Sequence, residues 1–305
     1  MDTAASAASA ASAASASSAS SASAASSVSS APASITAAQL AARLGRSGHP
    51  LILDVRKAPA FEAATHLIAG ALRIAPDRLT QALPHLPRGR DLVAYCVHGH
   101  QVSQGAAQQL REAGFNAVYL EGGAEHWQHD GLPLMGKAAE LTLPAAPATP
   151  SRWITRERPK IDRIACPWLI RRFIDPLAQF LYVPSEQVIG AAQREQAIPY
   201  DVPNVRISHR GADGGLCSFD ALIADCALDD PCLHALAHIV RGADTGKPEL
   251  TPQSAGLLAI SLGLSVNFPD DHAMLEQGML VYDALYAWIK SARAEVHNAN
   301  LFKKA

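Results

Sequence analysis

Three short apolar runs, Leu51–Val55, Asp91–Tyr95 and Ala117–Leu120, are separated by stretches whose apolar residues recur at helical spacing. Strands with so few polar residues are buried on both faces, and the helices between them supply the cover. The pattern therefore predicts a parallel α/β sheet. Helix starts are legible too. Thr36-Ala-Ala-Gln39 has the spacing of a capping box, and Ser103 precedes the run Gln104–Ala113, which stops at Gly114. One compact α/β domain is expected over residues 35–138.

The chain has 305 residues, 49% hydrophobic and 18% charged, with a net charge of −2. That supplies enough apolar material for buried cores and none of the charge excess of a polybasic nucleic-acid binder. Residues 1–34 are almost all Ala and Ser, with neither the cationic start nor the Leu/Val-rich core of a secretory signal. Such small side chains bury too little area to offset chain entropy, so a disordered tail is expected. The longest uncharged apolar stretch, Gly256–Val266, is well short of the about 20 residues that a bilayer span needs. Cys96, Cys166, Cys217, Cys226 and Cys232 form no C-x-x-C pair, which suggests neither a disulfide framework nor a zinc ribbon. A reducing cytoplasm fits this cysteine usage.

Prolines at 144, 147 and 150 mark residues 139–150 as a Pro/Ala linker. Beyond it, residues 151–297 read as a mostly helical α+β domain, followed by a tail over 298–305. Strands are expected at Arg152–Thr155, Gln179–Val183 and Val205–His209, and helices near 167–174, 218–226, 231–242, 252–262 and 271–292. Pro167, Pro231 and Pro252 each suit the first turn of a helix.

The segment Tyr95-Cys96-Val-His98-Gly99-His100-Gln101-Val-Ser103 carries the clearest chemistry, because it places a cysteine between a buried strand and a helix. The carboxyl end of a parallel strand is where open α/β sheets bind ligands. If the loop curls, its main-chain N–H groups converge on the sulfur and the next helix adds partial positive charge. Both effects favour the thiolate, lowering a pKa that is about 8.5 in a free cysteine. The bland alternative is a small buried hydrophobe.

These residues resemble the rhodanese family of sulfurtransferases. The resemblance rests on Asp54-Val55-Arg56 with Phe61-Glu62, His66 to Ala71, the loop from Cys96, and Glu121-Gly-Gly123 with Trp127, Gly131 and Pro133. It implies that Cys96 takes a sulfane sulfur from a donor such as thiosulfate, becomes a persulfide and passes the sulfur to a thiol acceptor. His98, Gly99, His100, Gln101 and Ser103 would bind the anionic substrate, although His98 and His100 could equally face water. Two departures stand out. Thr65–Ala71 holds one residue more than the usual motif, and the loop from Cys96 to Ser103 is one longer than in short sulfurtransferases. The longer loop resembles that of related phosphatases and arsenate reductases, but Val102 stands where their arginine belongs. Without that guanidinium, phosphatase chemistry loses its main electrostatic support.

Residues 152–172 hold seven Arg or Lys against Glu157 and Asp162. Arg163, Cys166 and Arg171, around a helix start at Pro167, are candidates to grip a tetrahedral oxyanion. A solvated charged face with internal ion pairs is the alternative. Arg158 to Arg172, with His209, Cys217-Ser-Phe-Asp220 and Arg241-Gly-Ala-Asp244, resembles the C-terminal domain of the chromate-resistance ChrB family. That implies a role in chromate response. His209, Asp220, His238 and Asp244 are candidate ligands for a divalent metal, while ordinary surface residues are the plainer reading. No cofactor is required for sulfur transfer.

The combined expectation is a cytoplasmic fusion of a sulfurtransferase and a ChrB-like domain, with thiosulfate, a thiol and possible chromate- or sulfate-like oxyanions as partners. Neither a membrane nor a nucleic acid is expected as a partner. The alternative is a non-catalytic chromate-responsive sensor or regulator whose rhodanese module is inert.

Overall fold

The computed structural model describes residues 33–137, 149–211 and 215–295. The expected Ala/Ser tail up to residue 32, the linker over 139–148 and the tail 298–305 lie outside the described residues. In the N-terminal half the order is β1 (Ser34–Ile35), α1 (Ala37–Arg43), β2 (Leu51–Asp54), α2 (Ala58–Ala63), β3 (His66–Ile68), β4 (Ala71–Arg73), α3 (Leu79–Ala82), β5 (Leu92–Tyr95), α4 (Gln101–Glu112), β6 (Ala117–Leu120), α5 (Gly123–His129) and β7 (Leu134–Gly136). Five parallel strands form a sheet in the order β1-β6-β5-β2-β4, and β3 pairs antiparallel with β7. Ser34, expected in the tail, is the first residue of β1 and pairs with Tyr119.

Alternation along the strands explains why both faces are apolar. Leu51 and Leu53 pack with Ala94, Ala107 and Leu110 on one face. Ile52, Val93 and Tyr95 pack with Leu40, Leu44 and Trp127 on the other. Each strand is thus buried on both sides, as the apolar runs required.

In the C-terminal half, β8 (Arg152–Arg156), α6 (Asp162–Leu169), β9 (Gln179–Val183), α7 (Val188–Glu195), β10 (Ile198–Pro199), α8 (Ser218–Asp225), α9 (Pro231–Asp244), α10 (Ser254–Asn267) and α11 (Asp271–Ala287) follow in order. The strands form a parallel sheet, β10-β8-β9. Three expectations change. Val205–His209 is irregular, joined only by a bridge between Ile207 and Tyr200. Pro167 lies inside α6, which begins at Asp162 and runs on into a π-helical turn, Ile170–Ile174. The helix near 188–195 had no counterpart in the sequence reading.

The two halves share a core. Ala69 and Met135 belong to the same buried cluster as Trp153, Trp168 and Phe173. Main-chain hydrogen bonds cross between them, from Gly70 to Phe173 (2.7 Å), Gly136 to Cys226 (3.0 Å) and Asp229 to Leu134 (3.1 Å). Gly70 has φ +74°, and a Cβ there would stand 3.0 Å from the Arg172 carbonyl oxygen, so the close approach needs glycine. No helix among the described residues is long and apolar enough to cross a membrane.

Candidate active site

Cys96 follows β5, at the carboxyl end of the parallel sheet, and its loop ends in α4. The N-cap of α4, His100, contributes no side-chain cap, so first-turn N–H groups remain free to serve the sulfur. Behind the loop, the N-terminus of α5 takes up its carbonyls: Ala124 N–H donates to Cys96 O (2.9 Å) and Glu125 N–H to Val97 O (3.1 Å). With those carbonyls held there, amides on the opposite side of the loop are left to face Sγ. The packing demands Gly99 (φ +72°) and Gly123 (φ +60°), because a Cβ on either would come within 2.5 Å of a main-chain oxygen.

Cys96 is 6% exposed. Burial pushes its pKa up, but the Ser103 hydroxyl and the amides of Ser103, His100 and Gly99 outweigh burial and hold it below the ordinary thiol value. The Ser103 Oγ stands 3.2 Å from Cys96 Sγ. Sequence reasoning placed Ser103 before its helix; it is instead the third residue of α4, fully buried against the sulfur.

A cavity of about 610 Å³ opens over Cys96, lined by Arg56, Lys57, His100, Gln101 and Gln104 among others. Arg56 is 5% exposed and committed to Asp54, its Nε donating to both carboxylate oxygens at 3.0 Å. Burial opposes the Arg56 charge, and the bond to Asp54 more than restores it. Tyr95 OH donates to the same carboxylate (2.9 Å). This buried network fixes the ends of β2 and β5 beneath the cavity, and Lys57 is an exposed cation on the cavity wall. The side chain of His98 turns aside to Glu125 (2.7 Å), next to His126 and His129 in a second cleft. Of the candidate anion-binding residues, Gly99, His100 and Ser103 thus serve the sulfur through their amides, and His98, His100 and Gln101 line the cavity.

In the C-terminal half, the basic segment is spent on internal pairs. Arg163 Nε lies 3.2 Å from Asp201 and Arg156 Nη2 the same distance from it. Arg171 meets Glu276 (2.6 Å) and Arg172 meets Asp283 (2.9 Å). Arg158 donates to the Ser265 and Phe268 carbonyls at the end of α10. Cys166 is fully buried. Arg163, Cys166 and Arg171 are therefore not assembled as an open oxyanion site, and the helix start imagined at Pro167 is helix interior.

The candidate metal ligands divide. His209 and Asp244 meet, with Nε2 3.1 Å from Oδ2. Asp220 instead caps α8 through Cys217 N–H (3.0 Å) and pairs with Arg241 (2.6 Å), and His238 is exposed on α9. Two residues missed by sequence reasoning complete the cluster: Asp162 and Asp201 each place a carboxylate oxygen 3.5 Å from His209 Nε2.

A cysteine sulfur cradled by main-chain amides stands at the carboxyl end of a five-stranded parallel sheet. The family model for the Rhodanese-like domain matches residues 36–130, and that for ChrB, C-terminal domain, matches residues 153–289. The chain is 30% identical over 101 residues to a Sulfurtransferase of Allochromatium vinosum, covering 33% of this chain and 92% of that relative. It is 33% identical over 143 residues to Protein ChrB of Cupriavidus metallidurans, covering 47% of this chain and 42% of that relative. A solved rhodanese-related protein from Thermoplasma volcanium is 31% identical, covering 33% of this chain and 96% of that one, with a TM-score of 0.30. The chain belongs to the rhodanese family through its N-terminal half and joins it to a ChrB-like C-terminal domain. It spans less than half the length of its ChrB relative.

Proposed function

We propose that the protein is a sulfurtransferase that carries sulfur as a persulfide on Cys96. The observation behind this reading is a thiol ringed by three amides and the Ser103 hydroxyl at the end of a parallel strand, donors that favour its ionised form. The thiolate attacks the outer sulfur of thiosulfate, the S–S bond breaks, and its electron pair leaves with sulfite. The persulfide that remains on Cys96 is anionic, and the amides that held the thiolate also suit it. A nucleophilic thiol acceptor then attacks the outer sulfur and the Cys96 thiolate departs, which closes the cycle with no external oxidant. Lys57 at the cavity wall favours entry of a dianionic donor.

The ChrB-like half supports a role in chromate or related oxyanion stress, with the persulfide restoring thiols or sulfur supply in a reducing cytoplasm. Thiocyanate formation from thiosulfate and cyanide tests the reading, together with a mass gain of about 32 Da, one sulfur atom, on the Cys96 peptide. Both are expected in the wild type and neither in Cys96→Ala. Equal turnover by the two proteins would overturn the catalytic assignment.

A further inference from the structure

Four side chains outside the sulfur site converge from separate parts of the C-terminal half. Asp162 opens α6, Asp201 follows β10, His209 lies in the irregular segment before α8, and Asp244 closes α9. Oxygens of the three carboxylates surround one nitrogen, His209 Nε2, at 3.1, 3.5 and 3.5 Å. Asp162 and Asp201 are 1% and 4% exposed, whereas the His209 side chain is 36% exposed, so the cluster is walled by protein behind and reached from solvent past the imidazole.

We propose that Asp162, Asp201, Asp244 and His209 bind one divalent transition-metal ion. The spacing carries the argument first. Two donors about 2.1 Å from a common ion, at angles between octahedral and tetrahedral, lie roughly 3.0–3.4 Å apart. The Asp244 contact falls inside that range and the other two lie 0.1 Å beyond it, while donor atoms of Asp162, Asp201 and His209 all lie within 4.8 Å of one another, so small movements of the carboxylates and the imidazole would admit an ion among them. Charge carries it next. Arg156 and Arg163 both address Oδ2 of Asp201, leaving its Oδ1 toward His209. Among the described residues no ion pair places an arginine or lysine on the buried Asp162 or the half-buried Asp244, so the His209 imidazole is their ion-pair partner there. Gathering three carboxylates at one point favours a cation among them, and a divalent ion bound to Nε2 would take the place of the imidazole's proton.

The outer contacts are those of an oriented ligand set. Ser218 at the start of α8 donates its N–H to Asp162 Oδ2 (3.2 Å) and its hydroxyl to Asp201 Oδ1 (2.9 Å), fixing two carboxylates at once. One imidazole with three carboxylates suits Mn²⁺, Fe²⁺ or Zn²⁺.

The test uses the full chain, stripped with a chelator and reloaded with Zn²⁺ or Mn²⁺, then freed of excess ion. One equivalent per chain and a higher melting temperature are expected in the wild type. His209→Ala and Asp162→Asn should each lower affinity at least about tenfold, while His238→Ala, altered on the exposed face of α9, should load like wild type. A far-UV spectrum and cooperative melt of wild-type form are required of each variant. Co²⁺ gives a readout free of mutation, for which weak d–d absorption without an intense thiolate band is expected. Wild-type uptake no greater than that of His209→Ala, loss of uptake in His238→Ala, or a thiolate band with Co²⁺ would each overturn the proposal and leave a hydrogen-bonded His–Asp network.

Discussion

The amide of Ala124 donates to the carbonyl of Cys96 at 2.9 Å, tying the first turn of α5 to the residue that carries the reactive sulfur. Through this bond the loop's polarity is set from behind, with carbonyls toward α5 and amides toward Sγ. Gly123 makes the approach possible, since a Cβ there would stand 2.5 Å from both the Cys96 and Val97 oxygens. Gly123→Ala is expected to push the loop off α5, raise the Cys96 pKa and cut sulfur transfer by at least about tenfold. The strain at its positive φ should also cost about 1–3 kcal/mol of stability. Rates of iodoacetamide reaction against pH, beside a urea melt, check both; an unchanged thiol titration would show that the α5 contact does not set the loop.

Ser103 acts from the other side. Its hydroxyl is 3.2 Å from Sγ, and a hydrogen bond to a charged group is worth about 1.5–3 kcal/mol. Ser103→Ala should therefore move the Cys96 titration to higher pH by about one unit or more, with k at saturating pH little altered. The sign in stability follows. A thiol whose folded pKa is depressed stabilises the fold above its unfolded pKa, and that contribution disappears as pH falls through the folded one. The stability gap between wild type and Ser103→Ala should thus widen in alkaline solution; a gap that is constant with pH would count against the hydroxyl's part.

Much of the N-terminal half was legible because its signals are local. The capping box at Thr36 forms as read, with Gln39 N–H on Thr36 Oγ1 at 3.2 Å, and the apolar runs are the core strands of the sheet. Ser103 was placed wrongly as a cap because its real partner, the sulfur, is set by the curl of the loop and not by the helix pattern. In the C-terminal half, His209 and Asp244 were visible as metal-ligand types, but Asp162 and Asp201 were not. Asp162 sat within a basic stretch that looked like a charged surface, and Asp201 takes φ +50° in a turn that no periodicity marks.

Helix α10 inverts the usual reading. Its uncharged sequence suggests burial, yet Ser254, Ser261 and Ser265 face inward while Val266 is 80% exposed. Ser254 Oγ donates to the Ile239 carbonyl (3.0 Å), and the reason for the other two lies in the segment leading to Asp162. Ser261 Oγ accepts from Ile161 N–H (2.9 Å) and Ser265 accepts from Arg158, so the serines satisfy polar groups of a strained stretch in which Arg158 and Ile161 have positive φ.

Asp54 gathers Arg56 and Tyr95 at the end of β2 with no exposure of its own. Removing one partner of a buried pair strands the other charge, so Asp54→Asn should cost about 3–5 kcal/mol. Tyr95→Phe removes a single hydrogen bond and should cost about 1 kcal/mol. Urea midpoints at constant m-value separate the two. Equal costs would mean that the Arg56 charge reaches solvent once unpaired.

His49 sits where the halves meet, 2% exposed, with Nε2 3.2 Å from the Arg171 carbonyl oxygen and 3.1 Å from Arg90. Burial, then the charges of Arg90 and Arg172, lower its pKa to about 3, against weaker support from the Arg171 and Pro50 carbonyls. The group is a base with a depressed folded pKa. Below pH 6.5 the unfolded chain binds a proton that the folded chain refuses, so stability is intact above 6.5 and is lost as pH falls toward 3. The slope approaches 1.4 kcal/mol per pH unit, roughly 2 kcal/mol between pH 6.5 and 5. His49→Gln, which cannot take up that proton, should lose about that much less than wild type over the interval, measured by urea unfolding at each pH. Parallel losses in the two proteins would show that His49 is already protonated in the fold, with the Arg171 carbonyl outweighing burial and the two guanidiniums.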